Sequence, residues 1–331
     1  MEGFERGSFT TARSLTYAYY SSTNPVDDDK PAVLLLHGFP DSAQLWSEIV
    51  TYLTDLPYRI LVPDILGHGG TSKPTNASEY NSKSMADDMV ELLDAEHIKN
   101  VIAVGHDWGS FLAQRVYLWH PDRVAGLILL NVAYMPPDQE HRFDLDTIMA
   151  MSEEMCGYPQ LAYWKLFTAP DGAETIGDHL ESFWTVMHGD KEDWMKRMFC
   201  TRGAMREYLL ADERVELKWY AKDRKWREPW MEVVKRDGLA APLNWYHAMK
   251  DNHQFEAEKE LPKHRFRVNV PVLFLGSTRD AVCLTSAIKF PQEKGLLPDL
   301  EVKEIESGHW VTMEKPEEVG QAILGFLKAR F

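Results

Sequence analysis

Three residues, far apart in the chain, have the types and the order that covalent hydrolysis needs. Asp107 sits in Gly105-His106-Asp107-Trp108-Gly109, directly after the apolar run Val101-Ile102-Ala103-Val104 and before a helical pattern. A small-x-nucleophile-x-small turn between strand and helix holds one side chain in a sharp, strained, exposed position. Asp280 follows the apolar stretch 270–277, and His309 stands in Ser307-Gly308-His309-Trp310. The order is nucleophile, acid, histidine.

The carboxylate at the turn decides the chemistry. A hydroxyl attacking a saturated carbon would leave an ether, which water does not readily cleave. A carboxylate leaves an ester with a carbonyl of its own, so a water activated by His309 can hydrolyse it and restore Asp107. Asp280 would orient that histidine. The backbone N–H groups of Trp108, next to the nucleophile, and Phe39, in His37-Gly38-Phe39-Pro40, are expected to hold the oxyanion. Ser110 lies three residues past the apex and is misplaced as the nucleophile.

Two leaving groups fit displacement at saturated carbon. A halide needs only N–H donors around it. An opening epoxide develops an alkoxide and needs a weak acid; tyrosine, with a pKa of about 10, is a donor at pH 7. Tyr246, in Asn244-Trp245-Tyr246, and Tyr163, in Leu161-Ala162-Tyr163-Trp164, are the candidates, with Tyr158 and Tyr220 as rivals to Tyr163. Phe39, Trp108 and Trp310 are expected to line an apolar substrate pocket.

The elements that must position these groups alternate along the chain. Residues 9–20 read as a strand. The runs 32–38, 58–64, 101–105 and 125–131 are short and continuously apolar, as in strands buried on both faces. Helical patterns at 42–55, 82–97 and 109–121 lie between them, which predicts crossover units and a mostly parallel sheet. From Pro136 to Pro262 the pattern is helical and holds seven of the eleven tryptophans. Strand signals resume at 270–277 and 300–307, ahead of a terminal helix. The expected division is an α/β core of residues 1–135 and 263–331, interrupted by a helical lid of residues 136–262. The lid would sit over the carboxyl ends of the strands, where open parallel sheets bind ligands.

The chain order of the three residues is that of the α/β-hydrolases, and the resemblance covers nearly the whole chain. Within that family His-Gly-Phe-Pro, Gly-His-Asp-Trp-Gly and Asn-Trp-Tyr resemble the epoxide hydrolases, the soluble and microbial enzymes in particular. The resemblance implies water addition to an epoxide to give a vicinal diol, without metal or organic cofactor. It also implies that Tyr163 and Tyr246, one from each end of the lid, bind the ring oxygen. The loop 62–74 fits the family as well, although Leu66 stands where arginine is common. Haloalkane dehalogenase is the alternative enzyme, but Phe39 stands where such enzymes often place asparagine. A ligand-binding protein on a hydrolase fold is the non-enzymatic alternative.

Bulk properties set limits. At 331 residues the chain can bury a large core. A formal charge of −15 argues against nucleic acid and anionic membranes as partners. Three scattered cysteines, Cys156, Cys200 and Cys283, suit neither a disulfide framework nor a zinc site. The start shows no secretory h-region, and no apolar run is long enough to span a bilayer. Without secretion the acceptor-like Asn76-Ala77-Ser78 is chance, and the terminal Phe331 departs from a peroxisomal address. A cytoplasmic enzyme is expected, acting on a small apolar epoxide, with monomer or homodimer left open.

Overall fold

The short apolar runs become the inner strands of one sheet. The computed structural model describes every residue except Asp28. Its strands are β1 (Phe4–Thr10), β2 (Thr16–Ser22), β3 (Ala32–Leu36), β4 (Ile60–Pro63), β5 (Val101–His106), β6 (Val124–Leu130), β7 (Val272–Ser277) and β8 (Leu300–Ile305). They lie in the order β1-β2-β4-β3-β5-β6-β7-β8. From β4 to β8 all neighbours pair parallel, while the β1–β2 hairpin extends the sheet antiparallel. Every residue of β3, β4, β5 and β7 is buried, which is why these sequences show no polar alternation.

Parallel neighbours need crossovers. α1 (Ser82–Ala95) precedes β5, and α2 (Trp108–Trp119) joins β5 to β6. The Asn81 side chain caps α1 by accepting from Ser84 N–H at 3.0 Å. Its buried stripe of Met85, Ala86, Met89, Leu92 and Leu93 follows the helical period.

Two local expectations fail. The stretch 9–20 is not one strand: the chain turns back between Thr10 and Thr16, with Ser14 at φ +62° and its N–H on Thr11 O at 2.8 Å. The expected helix at 42–55 is reduced to 3-10 turns at Ala43–Trp46 and Val50–Tyr52. Its start is pinned by Ala43 N–H on Asp64 Oδ1 at 2.7 Å, and Leu45, Trp46, Ile49, Val50 and Leu53 all enter the core. Tertiary burial overrides the local pattern here.

Between β6 and β7 runs a helical excursion: α3 (Leu145–Cys156), α4 (Trp164–Phe167), α5 (Gly172–Asp178), α6 (Leu180–His188), α7 (Trp194–Phe199), α8 (Ala204–Leu210), α9 (Arg224–Asp237), α10 (Ala240–Lys250) and α11 (His253–Glu258). Among the described residues its strand-like pairing is the isolated bridge Gly189–Leu217. The buried Arg115 of α2 ties both ends of it down. It grips Glu258 at the end of α11 with two bonds of 2.9 and 3.1 Å, and donates to Met135 O at 2.7 Å. Phe39 meets Phe167 of α4 and Tyr246 of α10 at ring-centroid distances of 5.1 and 5.3 Å, so these helices cover the carboxyl end of β3. After β7 come α12 (Lys289–Glu293), and after β8 α13 (Val311–Glu314) and α14 (Pro316–Arg330). Among the described residues no helix is long and apolar enough to cross a membrane.

Candidate active site

Asp107 follows β5 with φ +54° and ψ −125°, a conformation that side chains other than glycine rarely adopt. The sharpness of the turn rests on its flanks. A Cβ on Gly109 would lie 2.1 Å from Leu36 O, so only glycine lets α2 start this close to β3. A Cβ on Gly38 would lie 2.3 Å from Asp107 Oδ1, so the loop after β3 reaches the carboxylate for the same reason. That approach delivers Phe39 N–H to Asp107 Oδ1 at 2.8 Å. Burial pushes the Asp107 carboxyl above its ordinary range, and the His309 charge with the N–H groups of Trp108 and Phe39 pulls it part of the way back.

The strand ends bring in the other two groups. Asp280 Oδ2 accepts from His309 Nδ1 at 2.6 Å, and His309 Nε2 lies 3.7 Å from Asp107 Oδ2. Asp280 is fully engaged: Oδ1 accepts from Val282 N–H and Cys283 N–H, each at 2.9 Å, and Oδ2 also accepts from Asn131 Nδ2 at 2.8 Å. Burial would raise its pKa, but the His309 charge and these donors win and hold it below the usual carboxylate value. Burial would lower His309; Asp280 above all, then Asp107 and Asp41, overcome this and raise it to about 9. His106 Nε2 donates to His309 O at 2.8 Å, and His37 Nε2 accepts from Ile65 N–H at 3.0 Å. Both shape loops, as does Ser110, whose hydroxyl goes to Val132 O at 2.7 Å.

Above Asp107 lies a cavity of about 340 Å³, including its open mouth. Asp107, His309, Phe39, Trp310, Tyr163 and Tyr246 share its wall with Phe167, Phe183, Met187 and Phe199. Other buried tyrosines commit their hydroxyls to the fold: Tyr134 donates to Phe266 O at 2.6 Å and Tyr17 to Asp88 at 2.7 Å. Tyr163 and Tyr246 both line the cavity, their rings edge to face with centroids 6.0 Å apart. Burial, with Asp107 and (for Tyr246) its partner tyrosine adding to it, pushes both pKa values well above 10, so both are protonated at neutral pH. The rivals lie elsewhere: Tyr220 is buried beside His188, and the half-buried Tyr158 packs under Lys196.

The indole of Trp108 lies against Tyr246, at a centroid distance of 5.2 Å, and packs on Phe111, Trp164 and Trp245. Its backbone N–H remains beside the Asp107 carboxylate. Two groups escaped sequence reasoning. Asn131, at φ +64° just past β6, braces Asp280; its only signal was a polar residue closing an apolar strand. Asp41, one residue past His-Gly-Phe-Pro, accepts from the Trp310 indole N–H at 3.1 Å. Burial drives Asp41 up to about 7, against the pull of that N–H.

A family profile for the alpha/beta hydrolase fold matches residues 31–162. An epoxide hydrolase of Neurospora crassa is 28% identical over 340 residues, covering 95% of this chain and 92% of that protein. Epoxide hydrolase A of Mycobacterium tuberculosis is also 28% identical, across 90% of each. The crystal structure of epoxide hydrolase A from Mycobacterium thermoresistibile superposes with a TM-score of 0.80 at 25% identity, over 98% of both chains. Sheet order, strand-to-helix turn and these similarities agree: the chain has the α/β-hydrolase fold, and the proteins it is similar to are epoxide hydrolases.

Proposed function

We propose that this protein is an epoxide hydrolase that opens its substrate through an ester on Asp107. The observation that carries the reading is the placing of two protonated tyrosines, Tyr163 and Tyr246, on the wall of the cavity that holds Asp107 and His309. A halide would not need them. Residues 136–262 act as the lid that supplies both.

Asp107 Oδ1 is held by Phe39 N–H, which leaves Oδ2 to attack a ring carbon. The C–O bond breaks, and the alkoxide takes a proton from a lid tyrosine. His309 Nε2 then removes a proton from water, and the hydroxide adds to the Asp107 carbonyl carbon. The N–H groups of Phe39 and Trp108 hold the oxyanion until it collapses, releasing the diol. The leaving alkoxide takes the proton of the new Asp107 carboxylic acid; His309, cationic at rest, sheds its proton to the tyrosinate once the ester forms and regains one from the attacking water. The apolar wall suits a compact, apolar epoxide.

The tyrosine assignment is tested by ring opening in single turnovers. Tyr163→Phe and Tyr246→Phe should each slow alkylation by roughly 10–10³-fold, since one lost donor is partly covered by the other. The double variant should yield almost no diol from terminal or aryl epoxides while unfolding near the wild-type temperature. Wild-type alkylation in Tyr246→Phe would remove the main support for the reading.

The charges around His309 predict a pH signature. Before reaction the imidazole is kept cationic by Asp280, Asp107 and Asp41, with a pKa of about 9. Esterification removes the charge of Asp107, so the imidazole's pKa falls and the base is freed only when there is an ester to hydrolyse. Ester hydrolysis should therefore rise with pH and level off at an apparent pKa below that of the free enzyme. Asp41→Asn removes another negative charge and should lower that value further. Rapid-quench measurement of ester decay across pH checks it; an unchanged or higher value in Asp41→Asn would exclude the coupling.

A further inference from the structure

Glu314, the last residue of α13, lies outside the cavity wall, and its side chain is 8% exposed. Its carboxylate has three partners. Oε2 accepts from Lys218 Nζ at 2.7 Å and from Gly308 N–H at 3.1 Å, and Oε1 accepts from Arg279 Nη2 at 2.9 Å. Gly308 directly precedes His309, and Arg279 directly precedes Asp280. One buried carboxylate thus grips the chain next to both members of the acid–base pair. The same two loops are joined again by Arg279 N–H on Ser307 O at 3.0 Å. Lys218 comes from the helical insertion, where its own N–H is fixed to His188 O of α6 at 2.9 Å. A buried charge with two cations and a backbone donor is held firmly in place, because leaving any of them unpaired is costly.

We infer that Glu314 is a positioning residue for the hydrolytic half-reaction, and that Lys218 makes its hold depend on the docked insertion. The inference rests on the covalent epoxide mechanism proposed above, in which Asp107 attacks without His309 and only hydrolysis needs the imidazole in register. A shift of about 1 Å in such a group costs on the order of 100-fold. Loosening Glu314 should therefore slow ester hydrolysis and spare ester formation.

The test uses the full-length protein with styrene oxide as probe, following ester formation and decay by rapid-quench mass spectrometry beside steady-state kinetics. Glu314→Gln keeps the size and an acceptor for Gly308 N–H but loses the charge. It should hydrolyse the ester roughly 10–100-fold more slowly and form it within about threefold of the wild-type rate. Because kcat/KM is governed by alkylation, kcat and KM should fall together and leave their ratio unchanged. Lys218→Met, at a partly exposed site, should show the same pattern more weakly, and Lys218→Arg should restore wild-type behaviour. Wild-type ester decay in both Glu314→Gln and Lys218→Met would overturn the inference. So would an equal slowing of both half-reactions, which a general loosening of the fold would produce. If the wild-type protein itself forms no ester, the epoxide reading is overturned and this inference with it.

Discussion

In a single turnover with enzyme in excess, in water enriched in oxygen-18, the first diol released should carry no label at its new hydroxyl. That oxygen comes from Asp107, and the label should appear in the Asp107 carboxylate, located by peptide mass spectrometry. The expectation follows from the geometry at the turn: Oδ1 is fixed by Phe39 N–H at 2.8 Å while Oδ2 faces His309 Nε2 at 3.7 Å. Attack and hydrolysis thus use the same carboxylate from two sides. Asp107→Ala should lose roughly 10⁴-fold or more in kcat, since removing one member of a catalytic unit costs about as much as removing the unit. It should form no adduct. Label in the first-turnover diol would mean that water attacks the epoxide directly.

Much of this site was legible because its signals are local. The turn at Asp107 announces itself by the small residues that a close approach of β3 and α2 demands, and His309 by its place just past a final strand. The parts that were not legible act through distant partners. Asp41 matters because of Trp310, and Asn131 because of Asp280, 149 residues on. Glu314 reads as one more charge in a C-terminal helix until Lys218, Arg279 and Gly308 converge on it. The packing of the Trp108 side chain was hidden for the same reason, since its neighbours Trp164 and Trp245 arrive from the insertion. The stretch 42–55 shows the converse, a helical pattern that the core folds into short turns.

His309→Gln should separate the two chemical steps. Asp107 needs no base to attack, so an epoxide should still be opened once, leaving the protein heavier by the mass of the epoxide. Hydrolysis should then stall, with turnover lower by roughly 10³-fold or more. The loss of the imidazolium has a second consequence. Its charge is the largest influence holding Asp107 below the value that burial alone would set. Without it the carboxyl stays protonated to higher pH, so adduct formation in His309→Gln should require more alkaline solution than in the wild-type enzyme. Intact-protein mass spectra across pH report both effects. Multiple turnover at the wild-type rate would place the base elsewhere.

The backbone at Asp107 carries a further consequence, seen best from the side of selection. Left-handed strain at a residue with a Cβ costs about 1–3 kcal/mol, and burial of its carboxylate adds to that cost. Glycine at the same position would relieve both. A lineage no longer exposed to its substrate would therefore gain stability by discarding the nucleophile first, with the sheet, the lid and the paired tyrosines still intact. Asp107 can persist only while turnover is worth more to the organism than the stability it withholds.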